Sequence, residues 1–514
     1  MPAAAASTPL AAPGGLPKAF SVLITPSRAI ADPNLLGRGF IGPSWHRWRA
    51  VLKAAYGEPL DMMEYRQFKA VAQCEPPSKP VKELWCIIGR RGGKDSVASA
   101  IATTMAMSDY RQYLRPGEKA TIVCLANGKN QARIVLGYIR GYFAGNPLLQ
   151  PLVDRETEFG LELKNDIEIL VLANNYRIIR GRTILCAIFD EVALWRSEES
   201  AFPDAETYAA VVPGMVTLPS SILIGITTAY RRTGLAFDKY RESYGQNDPD
   251  CLVIKATARQ FNPTIPQEFI DQQITRDPEV ASAEWNSEWR TDLTDFVQSE
   301  VIEGSVVPDR HELPYAYNTH YIGFVDPSGG SSDSMTLAIA HKDQDKAILD
   351  CLREVRPPFS PESVVEEFCQ TLQSYRITRI HGDRYAGEWP REQFKKRSIA
   401  YIPAEKSKSD IYRDALPLLN SHRVALLDNP RLKSQLINLE RRTGRGTGRD
   451  SIDHPLGGHD DLANAACGAL SFASHKQPII IDPSVLGRSA LPVRNNQGPG
   501  YGWDNGYRYN LDIR

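Results

Sequence analysis

Leu84 to Ile101, LWCIIGRRGGKDSVASAI, reads as a short apolar strand, a glycine-rich turn and the start of a helix. Trp85-Cys86-Ile87-Ile88 suits a buried strand, Gly89, Gly92 and Gly93 free the backbone for a tight turn, and Val97 to Ile101 resumes at helical spacing. Such a turn aims backbone N–H groups at a polyphosphate, and the positive end of the helix adds to the attraction. Lys94 then stands where one ammonium reaches the outer phosphates, with Arg90 and Arg91 adding charge on the approach. The general pattern is G-x-x-x-x-G-K-[ST]. Counted back from Gly93 and Lys94, its first glycine position holds Ile88. The hydroxyl position after the lysine holds Asp95, and Ser96 lies one residue late for a magnesium ligand. A glycine-lysine turn also arises without a nucleotide, so it needs a partner motif.

Thr183 to Trp195, TILCAIFDEVALW, supplies that partner, an apolar strand ending in two adjacent carboxylates. Nucleotide hydrolysis needs one carboxylate near the magnesium shell and another that orients or deprotonates water, and Asp190 and Glu191 match these needs. The plain structural alternative is a pair capping the next helix. A further strand, Ile222 to Ile226, ends in Thr227-Thr228-Ala229, whose hydroxyls could sense a γ-phosphate. Lys119 to Ala126 is another strand, followed by a helix over Lys129 to Phe143, and Ile167 to Leu172 and Tyr176 to Ile179 read as a strand pair. Pro43 to Leu60 and Met62 to Val71 have helical spacing; their aromatics, with Gln67 or Gln73, either cover the sheet or flank an adenine ring. Strands alternating with helices predict an α/β sheet built around the glycine turn.

A chain of 514 residues is long enough for two to four domains. Lysine plus arginine (60) balance aspartate plus glutamate (61), so contact with nucleic acid has to come from local patches. The eight cysteines are scattered with no CxxC pair, and Cys86, Cys124, Cys186 and Cys467 lie in apolar surroundings, which points to reduced core thiols in a cytosol and to neither a disulfide framework nor a zinc site. MPAAAASTPLAAPGGLP lacks a basic start and is broken by proline and glycine, against a secretory signal, and no apolar run approaches membrane-spanning length. Organisation follows as a flexible or loosely docked arm (1–33), an ATPase core (34–230) and a helical lid or linker (231–298). A second domain (299–475) and a loosely packed tail (476–514) complete the chain. In the linker, Pro263-Thr-Ile-Pro266 and Asp277-Pro278 each start a helix, the latter carrying Trp285 and Trp289.

The second half has its own centre. HYIGFVD (His320 to Asp326) is a strand ending in an aspartate, and Met335 to His341 and Ala347 to Glu354 extend it into an antiparallel meander. A helix over Pro361 to Tyr375 leads to a strand ending in Asp383, and His459-Asp460-Asp461 opens a small-residue helix, Leu462 to Phe472. This succession fits the ribonuclease H-like order, which brings the carboxylates to one end of the sheet. In-line hydrolysis of a phosphodiester calls for two divalent ions on hard oxygen ligands, magnesium or manganese, and Asp326, Asp383, Asp460 and Asp461 could supply them. Taken singly, each aspartate is equally a turn, loop or cap residue. Asp333 and His459 either assist or line the site. Arg431, Lys433, Arg441, Arg442, Arg445 and Arg449 crowd the segment before the last aspartates, as a phosphate-following surface or a solvated basic face.

With these motifs in place, the chain resembles the large terminase subunit of tailed bacteriophages from Pro43 to Ser474. Gly89-Arg90-Arg91-Gly92-Gly93-Lys94 matches the GRRxGK turn common in that family. The resemblance implies a P-loop ATPase domain with a parallel-rich central sheet, followed by a ribonuclease H-like nuclease domain. By it, Lys94 contacts ATP, Arg90 or Arg91 is the arginine supplied in the chain, and Asp190 and Glu191 are the magnesium and water carboxylates. Thr227-Thr228-Ala229 is then the coupling motif, and the C-terminal aspartates hold two Mg2+ or Mn2+ ions. Asp95 departs from the family's Ser or Thr, so either Ser96 substitutes or Asp95 itself approaches the metal. Further implications are double-stranded DNA, a portal protein and a small terminase subunit as partners, a ring, usually pentameric, on the portal, and action in the host cytoplasm at the procapsid. A helicase or recombination protein whose C-terminal half only binds DNA is an alternative, as is an assembly component with a degenerate nucleotide site.

Overall fold

The computed structural model describes residues 24–173, 179–195, 203–331, 333–383, 388–443, 450–455 and 458–474. The apolar run ahead of the glycine turn forms β1 (Glu83–Ile88) in a sheet with β2 (Ala120–Ala126), β3 (Val153–Thr157), β4 (Gly160–Leu163) and β5 (Ile167–Ala173). The same sheet holds β6 (Thr183–Asp190), β7 (Ile222–Thr227) and β8 (Cys251–Ala256), in the order β3-β4-β5-β2-β6-β7-β1-β8. From β5 to β8 every pairing is parallel; β3 and β4 run antiparallel at one edge.

Strand alternation divides this sheet's side chains between two core layers. Trp85, Ile87, Val123, Leu125 and Phe189 fill one layer, while Leu84, Cys86, Ile88, Ile122, Cys124 and Ile188 fill the other. Gly225 lies opposite Trp85 in the β1–β7 register, and a Cβ there would stand 2.2 Å from the indole. Only glycine lets the ring lie flat over β7. The helix Lys94–Ala106, which follows the glycine turn, is buried along nearly its whole length, and His46–Ala55 and Met62–Ala72 cover the sheet as expected.

Several expectations are corrected here. Residues 231–298 are not wholly helical, because Cys251–Ala256 pairs with β1 as a sheet strand. The charged run Val153–Thr157 and its neighbour Gly160–Leu163 form an edge hairpin against β5. The strand pair drawn through Tyr176 falls on residues 174–178, outside the described residues, and the observed partners of Ile167–Ala173 are β4 and β2. Within the expected arm, Pro26–Ala29 is a helical turn, with Ala29 and Ile30 fully buried in the core.

The short strand β9 (Leu293–Asp295) ends the first half. The second half contributes β10 (Tyr321–Asp326), β11 (Met335–Asp343), β12 (Lys346–Val355), β13 (Arg379–Gly382), β14 (Ala400–Pro403), β15 (Val424–Ala425), β16 (Glu440–Arg442) and β17 (Ser451–Asp453). Six of these form a second sheet in the order β14-β13-β10-β11-β12-β15. β10, β11 and β12 are the antiparallel meander, while β13 lies parallel beside β10 and β14 parallel beside β13. This is the ribonuclease H-like order. The closing helix Asp461–Ser474 packs on the sheet through small residues; at Gly468 a Cβ would meet the Phe324 ring at 2.5 Å.

A three-stranded sheet, β17-β16-β9, stitches the halves together. Tyr230, just beyond β7, donates its hydroxyl to both carboxylate oxygens of buried Glu440 on β16, at 3.1 Å each. All eight cysteines are buried free thiols. Among the described residues, no helix is long and apolar enough to cross a membrane.

Candidate active sites

The first site lies at the carboxyl ends of the parallel strands, where the glycine turn leaves β1 and the carboxylates leave β6. Its turn is held from several sides. Gly93 has φ +83°, Arg91 has φ +62°, and Trp48 donates its indole N–H to the Gly92 carbonyl at 2.8 Å. A Cβ at Gly89 would lie 2.5 Å from the Trp285 carbonyl, and one at Gly92 2.5 Å from Ile88 Cγ2. The aromatics ahead of the turn thus belong to its support: Trp48 is buried, and the Trp45 ring packs on Gly93.

Lys94 is buried at the first position of its helix, donating to the Ile88 carbonyl at 2.7 Å and lying 3.5 Å from Glu191 Oε1. The other oxygen of Glu191 accepts from the Thr228 N–H at 3.1 Å and lies 3.4 Å from both the Thr227 and Thr228 hydroxyls. One carboxylate therefore links the glycine turn to the threonines at the end of β7, from a backbone of φ +50°. Asp190 is 1% exposed, and its Oδ1 is buried without a hydrogen-bond partner. Burial, then Asp95 and Glu191, push its carboxyl up to about 8, against the pull of Lys94 and Gln131. Asp95 is raised too, by burial ahead of the neighbouring charges.

Three carboxyl groups facing one lysine, with a buried oxygen unmatched, is a donor set that fits a divalent cation. Asp95 stands in this cluster by its coupling to Asp190, whereas Ser96 engages Tyr142 only through its carbonyl, at 3.2 Å. Of the two arginines, Arg90 pairs with Glu284 at 2.9 Å, and Arg91 is exposed with its carbonyl accepting from Asn262 at 3.1 Å.

The second site is a pocket of about 260 Å³ at the end of the ribonuclease H-like sheet. Asp326, Asp383, Asp460 and Asp461 all line it, together with Asp333 and His459. The meander delivers Asp326, β13 delivers Asp383 beside it, and the closing helix begins at the adjacent pair. Asn464, one turn into that helix, donates to Asp326 Oδ2 at 2.8 Å. Asp326 is nevertheless raised well above the usual carboxylate range, by burial and then by Asp461, Asp383 and Asp460. Asp461 is pushed up to about 6, by burial and then by Asp460, while accepting the Ser334 N–H at 3.2 Å. Mutually repelling carboxylates in a pocket open to solvent fit hard divalent ions.

The two adjacent aspartates differ. Asp461 faces the Ser334 loop, whereas Asp460 is taken up by Lys408, 3.0 Å from its Oδ2, and by the Tyr412 hydroxyl at 2.8 Å. Lys408 is a pocket residue that the sequence did not single out. The basic segment is partly corrected: Arg431 is buried and paired with Glu354 at 2.8 Å, so it is core rather than a phosphate-following cation. Arg441 pairs with Asp450 and Arg442 lies 3.4 Å from Glu440; Arg445 and Arg449 fall outside the described residues.

No family model and no curated protein matches the chain. Solved structures do. Phage large terminases are among them. The large terminase of bacteriophage HK97 aligns at 16% identity over 84% of this chain and 100% of its own, with a TM-score of 0.37. The large terminase of a thermophilic bacteriophage, solved in complex with ADP, aligns at 11% identity over 76% and 94%, with a TM-score of 0.33. The large terminase nuclease of thermophilic phage G20c, with bound magnesium, aligns at 17% identity over 34% and 96%, with a TM-score of 0.30.

Proposed function

We propose that this chain is a viral DNA-packaging motor: ATP hydrolysis drives double-stranded DNA into a procapsid, and a metal-dependent endonuclease cuts concatemeric DNA at the start and end of packaging. One observation carries this reading. A single polypeptide holds two acidic sites of different construction, one beside a glycine turn and a buried lysine, the other an aspartate pocket on a ribonuclease H-like sheet.

At the first site Lys94 exchanges Glu191 and the Ile88 carbonyl for the outer phosphates of ATP, and the turn and helix N-terminus receive the remaining charge. Asp190, with Asp95, is the carboxylate set for magnesium. Glu191, released from Lys94, orients water and takes its proton. Because its other oxygen holds Thr228, a change at the γ-phosphate reaches β7 directly. Arg91, exposed on the turn, is the candidate arginine for the developing charge. At the second site Asp326, Asp383 and Asp461 are the principal carboxylates, with Asp460 beside them. Bound Mg2+ or Mn2+ supplies Lewis-acid stabilisation of phosphate oxygens at both sites. The partners in this reading are double-stranded DNA, the portal protein and the small terminase subunit, with a ring of this chain, a pentamer, on the portal in the host cytoplasm.

The test is ATP hydrolysis by the full chain with and without duplex DNA, run beside a strand-unwinding assay. Hydrolysis stimulated by duplex DNA without unwinding is expected. Unwinding in the absence of capsid components would favour a helicase, and no hydrolysis by folded protein an assembly component.

A further inference from the structure

Lys408 opens the helix Lys408–Asn420, immediately after its Ser407 N-cap, and lines the aspartate pocket. Its Nζ lies 2.8 Å from Asp453 Oδ1 and 3.0 Å from Asp460 Oδ2. The two carboxylates arrive on separate elements, Asp453 on β17 and Asp460 at the start of the closing helix. The lysine side chain keeps 28% of its surface exposed, so it is neither sealed in the core nor free in solvent. Among the described residues lining the pocket, five are aspartates and Lys408 is the one lysine or arginine.

A DNA strand entering this pocket adds phosphate charge to that of the aspartates. Bound divalent ions would offset most of it, and among the described residues lining the pocket Lys408 is the protein's own lysine or arginine cation. It also has two partners. Asp460 keeps the Tyr412 hydroxyl at 2.8 Å when the ammonium turns away, and Asp453 is 40% exposed and can follow the lysine. A lysine stem is long and rotatable enough for such an exchange, and its point charge suits a single phosphate oxygen.

We propose that Lys408 is a phosphate-contacting catalytic residue of this pocket, its ammonium passing from Asp460 to a non-bridging oxygen of the scissile phosphodiester while Asp453 retains it. The proposal rests on the nuclease reading above. In the step, a water oxygen bonds to phosphorus and the P–O ester bond opposite breaks. The water's proton leaves to solvent, and the departing oxygen takes one from solvent to become a hydroxyl. Lys408 makes and breaks no covalent bond; it offsets charge on the non-bridging oxygens, a preorganised electrostatic role.

The experiment uses the full chain, with single-turnover cleavage of duplex DNA at saturating protein in manganese and DNA affinity measured in calcium. Mn2+ binding without DNA is followed by electron paramagnetic resonance. Lys408→Ala and Lys408→Gln are expected to slow cleavage about a hundredfold, the usual loss for one preorganised donor. Lys408→Arg keeps the charge and is expected to stay within about tenfold of wild type. DNA affinity should fall by no more than about threefold, since one phosphate contact among many is lost. Mn2+ binding by Lys408→Ala should be unchanged or tighter, because the carboxylates lose a competing cation. Cleavage by Lys408→Ala at the wild-type rate overturns the proposal. So does a loss of Mn2+ binding in step with cleavage, which would reduce the lysine to a shaper of the carboxylates. Absence of metal-dependent cutting in the wild type would instead overturn the nuclease reading, and the proposal with it.

Discussion

Asp190→Asn is expected to stabilise the metal-free protein while destroying its ATPase activity. Asp190 is 1% exposed, one oxygen has no hydrogen-bond partner, and Asp95 and Glu191 add repulsion to the cost of burial. Together these raise its carboxyl from 3.8 to about 8, Lys94 and Gln131 offsetting only part. Between those values the folded chain holds a proton that the unfolded chain has released. Stability is therefore full below the unfolded value and is lost as pH rises toward the folded one. From 3.8 to pH 7 is roughly three units at about 1.4 kcal/mol each, a loss of about 4 kcal/mol. Asparagine removes the charge at nearly constant volume but brings an amide that needs partners, so about 2 kcal/mol of gain should survive. That corresponds to a rise of roughly 4–8 °C in melting temperature. The assay is thermal unfolding in EDTA from pH 4 to 8, with MgATP hydrolysis measured in parallel. The gap between variant and wild type should widen with pH, close at about pH 5, where the carboxylate and amide costs are equal, and reverse toward pH 4, and added Mg2+ should raise the wild type alone. A variant no more stable than wild type at pH 8, or a gap that ignores pH, would refute the placement of Asp190 in a repelling carboxylate cluster.

Three further outcomes are expected. Glu191→Gln should still bind a non-hydrolysable ATP analogue but lose at least about a hundredfold in turnover, and unchanged turnover would remove Glu191 as the base. Gly225→Ala places a Cβ 2.2 Å from the Trp85 ring and should cost about 1–3 kcal/mol or more, read from the urea midpoint; no shift would mean that the indole moves freely. Tyr230→Phe withdraws the hydroxyl from buried Glu440 and should cost about 1–3 kcal/mol in the same assay, whereas an unchanged midpoint would show that water replaces the hydroxyl.

What was legible beforehand is what local pattern controls. The glycine turn, the Asp190-Glu191 pair and the aspartate closing β10 all stand at the ends of short apolar runs, a pattern that favours buried strands. CLVIKA at Cys251–Ala256 is as apolar, but it sits between helical stretches and becomes a strand because β1 has an open edge beside it. That edge is a tertiary fact. The basic segment around Arg431 reads as a phosphate-following surface or a solvated face; its partner Glu354 lies 77 residues earlier, beyond any local pattern. Lys408 carries no local signal for the same reason, its carboxylates lying 45 and 52 residues away. Asp95 was visible as a departure from the usual hydroxyl, and its coupling to Asp190 adds what spacing cannot, a place in the carboxylate cluster. Asp460 and Asp461 are neighbours with one residue type, and only Lys408 and Tyr412 on one side and Ser334 on the other tell them apart.

In the packaging-motor reading one chain carries two separate engines. Cleavage of plasmid DNA by the full chain in Mn2+ or Mg2+, comparing wild type with Asp326→Ala and recording ATP hydrolysis in the same preparations, distinguishes them. Metal-dependent cutting that disappears in the variant, with ATP hydrolysis retained, is the predicted result. Cutting that survives the substitution, or no cutting by folded wild-type protein in either metal, would contradict it and leave the aspartates as turn and cap residues of an ATP-driven DNA-binding machine.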